Sequence, residues 1–159
     1  MTAETVYLAL GSNLGDRRAH LASAVTALRQ VRGLEVLRLS SMVETPALLA
    51  HAGAPAQPSY LNQIVEVSCT LEPAALLSAV RAIEANEGRV RRERWSARTL
   101  DIDVVLFGAQ VIDTPELKVP HPEMTRRAFV LGPLRELAPA LLHPVSGLSI
   151  DALWRSLPA

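Results

Sequence analysis

Apolar and polar positions along this chain fall into short periodic bursts separated by turn residues. The clearest burst is Leu100–Phe107, where Leu100, Ile102, Val104 and Leu106 fall on one side and Asp101, Asp103, Val105 and Phe107 on the other. That alternation predicts a strand carrying two carboxylates on one face, roughly 7 Å apart at the backbone. The run Val6–Leu10 predicts a buried strand, which the turn formers Gly11-Ser12-Asn13-Leu14-Gly15-Asp16 bring to an end. Asp16 is placed to cap a helix in which Leu21, Ala24, Val25, Leu28 and Val31 recur at helical spacing, with Gly33 as the stop. Leu34 to Glu44 reads as a second strand with imperfect alternation. Thr45-Pro46 then opens a stretch rich in Ala, Pro and Gly, which runs to about Ser59. Connections of that length inside a compact domain are usually functional or mobile. Tyr60–Cys69 reads as a third strand. Pro73 suits the first turn of a second helix, with Leu76, Val80, Ile83 and Glu87 marking its face and Gly88 its end. Residues 89–99 carry no apolar period and predict a loop before the aspartate strand. Gly108-Ala109-Gln110 predicts a turn into a short Val111-Ile112 strand. Beyond it come the Pro120-His121-Pro122 turn, a helix from about Thr125 to Leu137, and a weaker one from about Ile150 to Leu157.

The order strand, helix, strand, strand, helix, strand is the split βαβ pattern. It predicts an α+β, ferredoxin-like βαββαβ fold in one domain spanning residues 1–159. The sheet is antiparallel, with both helices on one face. Asp101 and Asp103 lie on the other face, bordered by C-terminal helical additions.

Charge adds chemistry to this frame. Adjacent carboxylates repel one another unless a proton or cation neutralises them. Five arginines precede the pair: Arg89, Arg91, Arg92, Arg94 and Arg98. They can neutralise the aspartates in a structural ion-pair network. Alternatively a hard divalent cation such as magnesium does so, leaving the arginines for a polyphosphate. Of the sixteen Lys and Arg, fifteen are Arg and only Lys118 is lysine, so nearly every basic site can make forked contacts to phosphate. Trp95 among the arginines offers a flat face for a ring. Arginine interleaved with an aromatic also suits RNA, but the formal net charge of zero and only six aromatic residues in the chain argue against it. His121, stiffened between two prolines, suits a phosphate donor. Arg126 and Arg127 at a helix start are unfavourable unless an anion is near. The Gly11–Asp16 turn lacks the Gly-Lys-Ser/Thr ending of a P-loop. Trp154 reads as core. The single Cys69 excludes an intramolecular disulfide and fits a reducing compartment. No stretch is apolar for eighteen residues, and a net charge of zero sets up no field that favours nucleic acid or an anionic membrane, which together predict a soluble cytoplasmic protein that binds neither.

Taken together, Leu10-Gly11-Ser12-Asn13-Leu14-Gly15-Asp16, Glu44-Thr45-Pro46, Tyr60-Leu61-Asn62, Gly88-Arg89, Arg94-Trp95-Ser96-Ala97-Arg98-Thr99-Leu100-Asp101-Ile102-Asp103 and Val119-Pro120-His121-Pro122 closely resemble the 6-hydroxymethyl-7,8-dihydropterin pyrophosphokinases of folate biosynthesis. The resemblance covers almost the whole chain and weakens after about residue 140. It implies a monomeric enzyme that transfers the β,γ-pyrophosphoryl unit of ATP to the pterin hydroxymethyl oxygen and releases AMP. It implies two magnesium ions on Asp101 and Asp103. It implies triphosphate contacts from Arg89, Arg91, Arg98, His121 and Arg127, with Arg89 and Arg98 serving catalysis, and places Glu84, Val104 and Lys118 around the nucleotide. It implies a pterin pocket of Thr45, Pro46, Leu48, Tyr60, Asn62, Trp95 and Phe129. Trp95 and Phe129 would sandwich the ring, and the Asn62 carboxamide would meet its amide-like edge in both directions. Mobile loops are implied near 12–16, 45–58 and 89–99. Two departures from the family pattern stand out: Ser96-Ala97 where Gly-Pro is usual, and Pro122 where several members carry an aromatic. On the residues alone, another two-metal phosphoryl or nucleotidyl transferase and an RNA-binding ferredoxin-like module are the alternatives.

Overall fold

A computed structural model describes residues 2–46, 51–53, 58–87 and 99–158. Its centre is β1 (Glu4–Ser12), which pairs antiparallel with β4 (Tyr60–Cys69) on one side and β5 (Asp101–Phe107) on the other. The sheet order is β2-β4-β1-β5, with β2 (Leu34–Leu39) and β3 (Val43–Thr45) both lying along β4. This is the ferredoxin-like arrangement that the element order predicts. Helices α1 (Arg17–Arg29) and α2 (Pro73–Asn86) cover one face. Even-numbered β1 positions Val6, Leu8 and Leu10 meet Leu21, Ala24 and Leu28 of α1 and Leu76 and Val80 of α2 in that core. Each such side chain contributes on the order of 1.5–3 kcal/mol on leaving water. Asp16 caps α1, its carboxylate accepting from the Ala19 N–H, and Pro73 opens α2. None of the described helices is long and apolar enough to cross a membrane.

Several elements differ from expectation, each for a local reason. The strand read over residues 34–44 is broken into β2 and β3. At the break the Ser40 hydroxyl accepts the Ile64 N–H, standing in for a ladder carbonyl, while the Ser40 N–H donates to the Ile64 carbonyl. The alternation of Leu100–Phe107 holds only as far as Val105. Leu8 pairs with Val104 and Tyr7 with Leu106, so Val105 is one residue extra, a β-bulge. The bulge turns Leu106 to the second face beside Tyr7 and sends Phe107 to the helix core. On α2 the buried acid is Glu84, one turn before Glu87, which lies just past the helix. The short strand after the Gly108 turn is β6 (Ile112–Asp113), paired with β7 (Lys118–Val119), and Val111 is exposed. The helix expected from Thr125 begins later: Met124–Arg126 forms a 3-10 turn, Arg127 is extended, and α3 runs Ala128–Leu137. Arg126 therefore pairs with Glu123 outside the helix. The C-terminal helix α4 spans Ile150–Arg155, capped by Ser149.

The second sheet face is only half open. Helices α3 and α4 bury Val130, Leu131, Leu134, Ile150 and Leu153 against Tyr7, Ile64, Val105 and Leu106. Trp154 lies over Gly132, as a core residue would. Next to this cover the Tyr7 hydroxyl donates to Glu66 at 2.6 Å, and Arg38 grips the same carboxylate with two N–H groups.

Candidate active site

The other half of the second face is organised in rows that cross the strands. Asp101 pairs with Gly11, Gly11 with Asn62, and Asn62 with Val43. One row along, Asp103 pairs with Ala9 and Ala9 with Ile64. The floor between the carboxylates and Asn62 is thus made of a glycine and an alanine. A Cβ on Gly11 would stand 3.4 Å from both Asn62 Oδ1 and Tyr60 Cδ1, so these two side chains lean over the space the glycine leaves. Asn62, buried at the edge of this floor, donates its amide to the Val43 carbonyl at 3.1 Å and the Thr45 hydroxyl at 2.9 Å. With both donors used there, its Oδ1 is the group turned to the floor, so the carboxamide presents an acceptor rather than the two-way partner expected.

The bulge in β5 brings in the histidine. The Val105 carbonyl accepts the His121 N–H at 2.9 Å, which ties the Pro120-His121-Pro122 turn to the aspartate strand. The ring Nδ1 accepts from the Glu123 N–H, directing Nε2 toward Asp103 Oδ2 at 3.9 Å. Burial pushes the imidazole below its ordinary value, Asp103 pulls it back up, and Arg127 adds to the lowering. The Arg127 guanidinium stands 5.6 Å from the Phe129 ring centroid. Asp103, His121, Arg127 and Phe129 therefore gather at one end of the floor.

Three of the other expected residues are held by contacts within the fold. Glu84 is buried, with Oε2 accepting the Ile102 N–H at 2.8 Å and Oε1 3.1 Å from Arg81, so it fixes the backbone between the two aspartates. The Val104 side chain belongs to the helix core, which leaves only its backbone for a ligand. Lys118 is paired with Asp113 across the β6–β7 ribbon. Thr45 and Tyr60 border the floor at the β3–β4 end, and Pro46 directly follows Thr45 in the chain. Leu48, Arg89, Arg91, Trp95 and Arg98, together with Ser96-Ala97, lie outside the described residues.

Residues from the Gly11–Arg17 turn also reach the site's edge, and the sequence alone gave them no role. Asn13, almost wholly buried, donates to the Pro58 carbonyl, and Arg17 bridges Glu44 and the Ser59 carbonyl. They hold the chain at Glu44 on one side of residues 46–57 and at Pro58 and Ser59 on the other. Asn13 stands within the Leu10–Asp16 run that carries the resemblance, whereas Arg17 is marked only as an arginine directly after a helix cap.

The donor set suits magnesium. Two carboxylates on one face, Asp103 with about half its side chain exposed, match an ion that takes one or two carboxylates and completes its shell from substrate phosphates and water.

Comparison with known proteins bears on the family and the fold. Residues 7–139 match the family model described as 7,8-dihydro-6-hydroxymethylpterin-pyrophosphokinase (HPPK). The 2-amino-4-hydroxy-6-hydroxymethyldihydropteridine pyrophosphokinase of Pseudomonas aeruginosa is 43% identical over 155 residues, 98% of this chain and 93% of the relative. The Bacillus subtilis protein of the same name is 44% identical over 131 residues, covering 82% and 76%. Among solved structures, wild-type Plasmodium falciparum HPPK-DHPS superposes with a TM-score of 0.69 at 14% identity, over 97% of this chain and 44% of that one. The chain thus spans under half the length of that structure, and the likeness concerns the fold.

Proposed function

Given that the chain belongs to the 7,8-dihydro-6-hydroxymethylpterin-pyrophosphokinase family, whose members are ATP-dependent diphosphokinases of folate biosynthesis, we propose that it transfers the β,γ-diphosphoryl unit of ATP to the hydroxymethyl group of 6-hydroxymethyl-7,8-dihydropterin. The hydroxymethyl oxygen attacks the β-phosphorus. The bond from that phosphorus to the α,β-bridging oxygen breaks, AMP departs, and the hydroxyl proton passes to solvent. Asp101 and Asp103 would hold two magnesium ions, which when bound neutralise the polyphosphate and favour attack by the alcohol.

The remaining work falls to the chain's own groups. In this reading His121 and Arg127, with Arg89, Arg91 and Arg98, hold the phosphates and stabilise the charge that grows as the bond breaks. Asn62 Oδ1 accepts from the pterin edge, Thr45 and Tyr60 border the ring, and Phe129 and Trp95 cover its faces. One observation carries the proposal: Asp101, Gly11 and Asn62 stand in one row on neighbouring strands. Two interstrand spacings separate the carboxylate from the amide, on the order of 10 Å. That is room for a flat bicyclic ring whose hydroxymethyl arm points at the aspartates.

Replacing either aspartate, Asp101→Ala or Asp103→Ala, should reduce AMP release by at least about a hundredfold with the fold intact, since each removes an anion from the centre of charge neutralisation. Phosphorus NMR of the products checks this and distinguishes AMP from ADP or free diphosphate. Undiminished AMP release at ordinary magnesium, or ADP as the product, would overturn the reading.

A further inference from the structure

The last turn of α2 ends on a carboxylate in a place that disfavours one. Glu87 sits at the C-cap, where the helix dipole is negative and cations are preferred. Helix α1 supplies the compensation. Ser23 Oγ donates to Glu87 Oε1, and His20 Nδ1 lies 2.8 Å from Oε2. His20 and Ser23 are three residues apart and so share one face of α1. Burial pushes the Glu87 carboxyl up, but the bonds from Ser23 and His20 outweigh it and hold the group below its ordinary value.

The histidine reaches further. Its Nε2 lies 3.1 Å from the place a Cβ on Gly15 would take, and Gly15 has a φ of +71°. The ring therefore packs over the Gly11–Asp16 turn while it holds the end of α2. One turn earlier on the same helix, Glu84 bonds the Ile102 N–H between the two aspartates. The final turn of α2 is clamped on both sides, by α1 through Glu87 and by β5 through Glu84.

We infer that His20 is a positioning residue for nucleotide binding: its bond to Glu87 fixes the last turn of α2, and with it the backbone between Asp101 and Asp103 and the point from which the chain sets out toward Arg89. The inference rests on the reading of Asp101 and Asp103 given above. His20 touches no reacting atom. Its influence falls more on the nucleotide than on the pterin, because the bond to Glu87 acts on α2 and β5, whereas Asn62 and Thr45 are held by each other across β4 and β3.

Steady-state kinetics of His20→Ala, His20→Asn and His20→Gln test it, together with calorimetric titration of a non-hydrolysable ATP analogue with magnesium. His20→Ala should raise the KM for ATP, and weaken the analogue, about tenfold, as expected for losing one charge-assisted bond. The KM for the pterin should stay within about twofold. His20→Asn places an amide donor near the position of Nδ1 and should restore most of the affinity. His20→Gln, whose amide reaches toward the position of Nε2, should not. With Glu87→Ala as the second single variant, the double variant His20→Ala/Glu87→Ala should lose clearly less than the sum of the two single losses, since both singles break the same bond. If His20→Ala fails to fold, the Asn-against-Gln comparison decides. Unchanged ATP affinity in folded His20→Ala, equal behaviour of the Asn and Gln variants, or additive losses in the double variant would overturn the inference. Wild-type AMP release tests the underlying reading separately. Unchanged ATP affinity in His20→Ala beside a wild type that releases AMP defeats this inference alone.

Discussion

Gly11 shows how much one missing side chain can do. Its position between Asp101 and Asn62 requires no unusual backbone, so the glycine serves space rather than conformation. A methyl group there would just reach van der Waals contact with Asn62 and Tyr60, at 3.4 Å. Gly11→Ala should therefore keep the fold, at a cost of about 1 kcal/mol or less in chemical denaturation, while raising the pterin KM several-fold because the methyl occupies the floor. An unchanged pterin KM would show that the ring does not lie over this row. At this scale the aspartates were legible because strand alternation puts i and i+2 on one face whatever else the chain does. Arg17 and His20 were not, and Glu84 was named by the resemblance alone, without its backbone partner. Their partners lie 27, 67 and 18 residues away, and no local period marks a side chain whose purpose is a distant backbone or carboxylate. The Asn62 amide misled for a related reason: its donors are used by Val43 and Thr45, a pairing that exists only once β3 lies on β4.

At the scale of elements, pattern and cap chemistry locate the long periodic segments, while their irregularities and ends depend on contacts made only in the fold. Tyr60–Cys69 and the α1 cap follow from pattern and cap chemistry. Hydropathy places neither the bulge at Val105 nor the break at Ser40: the imperfect alternation over residues 34–44 and the apolar run Val104–Phe107 are compatible with unbroken strands. Both irregularities serve the site. The bulge frees the carbonyl that seats His121, and the break turns the chain into β3, where Thr45 meets Asn62. Ser40→Ala should cost about 1–3 kcal/mol in urea denaturation, since it strands the buried Ile64 N–H. Ser40→Thr, which keeps the hydroxyl, should recover much of it. A loss below about 0.5 kcal/mol in Ser40→Ala would mean that another group satisfies that N–H.

Across the whole molecule, the second sheet face divides between a covered end that stabilises and an uncovered end that binds. The covered end contains a buried acid whose titration is a property of the fold. Two N–H groups from Arg38 hold the Glu66 carboxyl below its ordinary value, against burial and with help from the Tyr7 hydroxyl. A depressed folded pKa contributes stability that is fully present above the unfolded carboxylate value of about 4.3 and is lost as pH falls through the folded value. Thermal melts of the wild type should therefore decline below about pH 4.5. Glu66→Gln should be less stable at neutral pH and fall less steeply in that acid range. Parallel acid limbs in the two proteins would exclude Glu66 as a source of the decline.

Strand β1 has one more consequence. It alone bonds both β4 and β5 in the described sheet, so the gap between Asn62 and the aspartates is a gauge block cut by backbone hydrogen bonds. Side chains can change what lines the gap but not its length. On the proposed reading, an alcohol one methylene longer than the natural arm overshoots by about 1.5 Å. Such a homologue should still dock its ring with near-normal affinity, yet turn over roughly a hundredfold more slowly, as a misplacement of that size commands. Selectivity among pterin alcohols would then be a matter of measured length, enforced by main-chain hydrogen bonds and insensitive to repacking of the pocket walls.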